Sequence, residues 1–88
     1  MSPETPNDPQ ALALAALAAT LKDERRAQRF LELTGIGTDE LRSGLGDPHV
    51  LSAVLSFLEA HEPDLVAVAQ EVGVTPDKLV RARQEMEA

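Results

Sequence analysis

The chain predicts an all-α fold, a compact bundle of about six short helices joined by tight Gly/Pro/Asp turns. Three observations carry that expectation. Helix starts are legible at Asn7-Asp8-Pro9, Lys22-Asp23-Glu24, Thr38-Asp39-Glu40, Asp47-Pro48, Glu62-Pro63 and Thr75-Pro76, and stops at Gly35, Gly46 and Gly73. The apolar 43% of the 88 residues is mainly Ala, Leu and Val, with little β-branched alternation, and Phe30 and Phe57 are its only aromatics. The five Gly and six Pro lie almost wholly between apolar runs.

Residues 1–7 are polar and Pro-rich, so a disordered tail is expected there, leaving 8–88 as a single helical domain. Asp8 is placed to cap the first helix, with Pro9 at the position where its missing N–H costs nothing. That helix should run to about Lys22. Leu14, Leu17 and Leu21 fall on one face, and Leu12, Ala15, Ala16 and Ala19 on the opposite one. A helix apolar all round is normally buried on both sides.

Asp23 can cap a second helix to about Thr34, with Ala27, Phe30, Leu31 and Thr34 inward and Gly35 ending it in a left-handed conformation. Thr38 is placed to cap a short helix from Asp39 to Leu45, anchored by Leu41 and Leu45 and limited by Gly44 and Gly46. Asp47-Pro48 starts a fourth with the cleanest stripe, Leu51, Val54, Leu55 and Leu58. Pro63 opens a fifth carrying Leu65, Val68, Ala69 and Val72, and Thr75-Pro76 a sixth with Leu79, Ala82 and Met86 inward. The predicted core is Leu14, Leu17, Phe30, Leu31, Leu41, Leu51, Val54, Leu55, Leu58, Leu65, Val68, Ala69, Val72 and Leu79.

Composition removes several function classes. A net charge of −7 opposes non-specific binding to nucleic acid or anionic membranes, both of which need cations to displace counterions. The lack of Cys excludes a disulfide framework and thiolate zinc, and points to a reducing cytoplasm. The apolar run at 11–19 is too short to span a bilayer and lacks the basic lead-in of a signal peptide.

Chemistry-bearing patterns are scarce. His49 and His61 are twelve residues apart (61 − 49), on different helical faces and without a third ligand, so no metal or cofactor site is expected. Most carboxylates sit in first turns, where capping and the helix dipole account for them. No G-x-S-x-G and no G-x-x-x-x-G-K-[ST] is present. An enzyme is not expected.

Three features remain. Lys22, Arg25, Arg26 and Arg29 form the main cationic cluster, a candidate anion or acidic-partner patch unless acids of the same domain neutralise it. Leu65 to Met86 has a helix-turn-helix outline, with Ala69, Gly73, Val74 and Leu79 at the required places. Its last helix would offer Lys78, Arg81 and Arg83 to nucleic acid, but Asp77, Glu85 and Glu87 cancel them. The third is the uncharged face of Leu12, Ala15, Ala16 and Ala19, a candidate contact for a protein partner or a second copy. Gly35-Ile36-x-x-Asp39-x-Leu41 also echoes Gly73-Val74-x-x-Asp77-x-Leu79 at an offset of 38 (73 − 35), as a repeat or two convergent corners would.

The run Arg29-Phe30-Leu31-x-Leu33-Thr34-Gly35-Ile36, then Asp39-x-Leu41-Arg42, then Asp47-Pro48-x-x-Leu51-x-x-Val54-Leu55-x-Phe57-Leu58, with Gly73 and Arg81-Ala82-Arg83, resembles a family of short bacterial proteins. That family is known only as a domain of unknown function, family 3572. The resemblance implies a compact, α-helical, cytoplasmic, stand-alone protein, and implies no activity, cofactor or ligand. The function is therefore unknown. The favoured reading is a small non-enzymatic protein-interaction module or adaptor, and the alternative is a nucleic-acid-associated regulator using the C-terminal corner.

Overall fold

Asp8 does what its position predicts. In a computed structural model describing residues 8–88, its carboxylate accepts from the Ala11 N–H at 2.9 Å, and α1 (Pro9–Lys22) begins at Pro9. The expected disordered tail at 1–7 lies outside the described residues. Asp23 likewise accepts from Arg26 N at 3.1 Å to start α2 (Glu24–Thr34), and Asp47 from His49 N at 2.9 Å to start α4 (Pro48–Glu59). Thr75 accepts from Lys78 N at 3.2 Å at the head of α6 (Pro76–Glu87). Each cap satisfies an amide that the first helical turn leaves without an intrahelical partner.

Two elements differ from expectation. The third helix, α3 (Thr38–Ser43), starts one residue earlier than expected; Gly37 holds its N-cap position, and no side chain caps it. Thr38 is thus helical rather than capping, and Leu45 lies beyond the helix, 44% exposed. The fifth, α5 (Glu62–Val72), has His61 at its cap position. The His61 Nδ1 is 3.0 Å from the Phe57 carbonyl, so the ring folds back on the end of α4.

Gly35 (φ 73°) and Gly73 (φ 89°) are the left-handed residues that end α2 and α5, their N–H groups bonding Leu31 O and Ala69 O. The two corners share that geometry and differ in the helix they lead into, six residues for α3 against twelve for α6. Gly44 is needed for space. A Cβ there would meet Val50 Cγ2 at 2.8 Å and the Glu40 carbonyl at 2.9 Å. Gly44→Ala should cost about 1–3 kcal/mol in urea unfolding through overpacking. Gly46→Ala, with nothing within 4 Å of the added atom, should be near neutral.

One buried cluster draws on all six helices, and α1 packs against α2, α4, α5 and α6. Eleven of the fourteen predicted core residues are buried. Leu31 and Val72 are partly buried against the cluster, and Leu14 is 43% exposed. The expectation that both sides of α1 are covered therefore fails for the side of Leu14 and Leu21 (38% exposed). So small a domain lacks the surface to enclose a four-turn helix completely.

Candidate functional site

The inward side of α1 is Leu12, Ala13, Ala16, Leu17, Ala19 and Thr20, all 5% exposed or less. Three alanines let neighbouring helices approach its axis closely. The only polar member, Thr20, donates to the Ala16 carbonyl at 2.7 Å, so its hydroxyl is satisfied within the helix. This corrects the candidate partner face. Leu12 (1%), Ala16 (0%) and Ala19 (5%) are sealed by the chain's own helices, and only Ala15, half-buried, reaches an edge. The small residues that would admit a partner helix admit α2, α4, α5 and α6 instead.

The outward side of the same helix is Ala11, Leu14, Ala18 and Leu21, every one exposed. No charged residue occurs in α1 before Lys22. An exposed helix face is ordinarily polar; this one is apolar for three turns. Beyond Leu21 it runs into a notch of about 340 Å³ lined by Leu21, Leu31, Thr38, Leu41, Arg42 and Leu45. On its other flank lies a groove formed by Ala15, Ala18, Ala19, Lys22, Glu71 and Val72. The outer ridge of α1 thus stands between two depressions.

The basic patch is divided by the fold. Arg26 turns inward, its Nη1 donating to the Ala19 carbonyl at 3.0 Å near the end of α1. Its guanidinium lies 3.5 Å from Glu71, 3.7 Å from Asp64 and 3.9 Å from Asp23, and Arg29 pairs with Asp64 as well. The Arg26 backbone N–H, foremost, holds the Asp23 carboxyl below the ordinary carboxylate range, against a desolvation penalty, with the nearby Arg26 charge adding to the lowering. Arg26 therefore ties α1, α2 and α5 together, and acids of the same domain neutralise half the patch. Lys22 and Arg25 remain exposed. Arg26→Met should lower unfolding free energy by about 1.5–3 kcal/mol, because the buried Ala19 carbonyl loses its charged donor. Arg29→Met should cost less, because that side chain is 43% exposed. Urea denaturation of the two variants checks the order.

On the C-terminal corner, Arg81 pairs with Asp77 at 3.5 Å, and Arg83 bonds both Glu59 of α4 and Glu87. The Glu59 hydrogen bond raises the Arg83 pKa most, fixing its charge inside the protein's own network. His49 is exposed, and His61 stacks on Phe57 with ring centroids 4.8 Å apart. Among the described residues, no group of three or more His, Asp or Glu could hold a metal ion, and no helix is long and apolar enough to cross a membrane.

Sequence reasoning missed the outward ridge and its notch. The signal was present as the spacing Ala11-x-x-Leu14-x-x-x-Ala18-x-x-Leu21, but an equally apolar opposite face concealed it.

A family model described as a protein of unknown function, DUF3572, matches residues 6–88. No curated protein and no solved structure matches the chain. Nearly the whole sequence is covered, and the chain belongs to the DUF3572 family.

Proposed function

We propose that this protein is a small, non-enzymatic, cytoplasmic interaction module, and that it binds protein through the outward side of α1. The observation that carries the reading is the exposure of Leu14 (43%), Leu21 (38%) and Leu45 (44%) on and beside one uncharged ridge. Contiguous apolar surface of this kind marks binding sites, whereas scattered single residues do not. Leu33 (62%) borders a separate depression between α2 and α4 with Ala53, Phe57 and Ala60, and Val66 (41%) stands apart on α5. The pairing of Arg83 with Glu59 and Glu87 supports a protein rather than a nucleic-acid partner, since phosphate binding relies on cations free to contact the backbone.

Capture from a lysate of the source organism, treated with nuclease, tests this with three baits: wild type, Leu14→Glu and Val66→Glu. A stoichiometric protein should be retained by wild type and Val66→Glu and lost with Leu14→Glu. Equal capture by all three, or capture that collapses with nuclease, would overturn the reading.

A further inference from the structure

We infer that the occupant of the outward ridge is a second copy of this chain, seated antiparallel so that α1 packs on α1 across a two-fold axis. The inference rests on the interaction reading above and names its partner. Ala11, Leu14, Ala18 and Leu21 recur at intervals of three, four and three residues. This is the a/d spacing of a two-heptad seam, with Ala at one position and Leu at the other. In antiparallel pairing, a faces d. Ala11 then meets Leu21 of the second copy, and Leu14 meets its Ala18, so every small residue opposes a large one. Parallel pairing would put Ala on Ala and Leu on Leu, leaving gaps at one layer and crowding at the next.

Charge selects the same orientation. Asp8 and Lys22 stand fourteen residues apart (22 − 8), two heptads, and so flank the seam at equivalent positions at its two ends. Antiparallel seating brings each Asp8 within a turn of the other copy's Lys22, twice per dimer, whereas parallel seating places like charges together. Both side chains are exposed. None of the fifteen acidic residues falls between Pro9 and Lys22, so the seam itself carries nothing that repels a copy of a chain with net charge −7. A two-fold contact is also the commonest way for a surface to satisfy itself.

Sedimentation velocity over a micromolar-to-millimolar series, combined with cysteine cross-linking, tests the proposal. The wild-type chain should show a concentration-dependent monomer–dimer equilibrium. Leu14→Glu should weaken it at least about a hundredfold, because each dimer loses two apolar anchors, while circular dichroism stays helical. The chain has no Cys, so an introduced thiol is the only one. Oxidised mixtures of Ala11→Cys and Leu21→Cys should give the mixed disulfide dimer. Each variant alone should cross-link poorly, its two thiols lying about 15 Å apart along the axis.

A chain monomeric throughout, an unchanged dimer in Leu14→Glu, or efficient cross-linking of Ala11→Cys with itself would overturn the proposal. Should Leu14→Glu fail to fold, the cysteine pair still decides. A monomeric chain that captures another protein through Leu14 would sink the second copy alone; loss of both results would sink the interaction reading too.

Discussion

Ala16→Glu is expected to unfold the protein at room temperature. The Ala16 side chain is fully buried on the inward side of α1, where its small size lets the neighbouring helices close on the axis. A glutamate there must either bury an unpaired carboxylate or force the packed helices apart. Either outcome costs several kcal/mol. A domain of 88 residues has roughly 4–13 kcal/mol of total stability, so a loss of that size removes much or all of it. Circular dichroism should show loss of most helical signal. Retention of a cooperative thermal transition near the wild-type temperature would contradict the burial of that face.

Phe30→Ala has the second-largest expected effect. The ring is fully buried and meets Phe57 edge to face, with centroids 5.5 Å apart at 72°. Phe57 in turn stacks on His61 in the link between α4 and α5, so one aromatic contact line joins α2, α4 and that link. Removing the Phe30 ring should cost about 3–5 kcal/mol and lower the melting temperature by roughly 15–30 °C. Phe30→Leu should lose only about 1–1.5 kcal/mol, because it keeps much of the volume. Calorimetry on the pair separates loss of volume from loss of the aromatic contact.

Much of the fold was readable because helix ends are local. Asp8, Asp23, Asp47 and Thr75 each cap the helix they precede, and Gly35 and Gly73 end theirs in the left-handed region, all from interactions spanning a few residues. Thr38 shows the limit of that logic: its sequence is a good cap, but Gly37 takes the position and α3 starts a residue early.

The candidate site was far less readable, and α1 shows why. Periodicity sorts residues onto faces, but orients a helix only when the faces differ in polarity. Leu12 and Leu14 are indistinguishable in sequence, yet one is 1% and the other 43% exposed. Which face turns inward is settled by four other helices, at separations that no local pattern encodes. Arg26 illustrates the same gap. Its place in a cationic run was plain, whereas its partners Asp64 and Glu71 lie 38 (64 − 26) and 45 (71 − 26) residues away. Folding brings them together and turns half of an apparent anion site into an internal clasp.

Leucine-methyl NMR of the wild-type protein reads both sides of α1 in one experiment. A soluble nitroxide should broaden the methyls of Leu14 and Leu21 and spare those of Leu12 and Leu17. On raising the protein concentration, Leu14 and Leu21 should shift and become shielded from the nitroxide, while exposed Leu33 on α2 stays unchanged. Broadening of Leu12 and Leu17, or concentration-dependent shifts confined to Leu33, would contradict the assignment of an inward core face and an outward binding face to this helix.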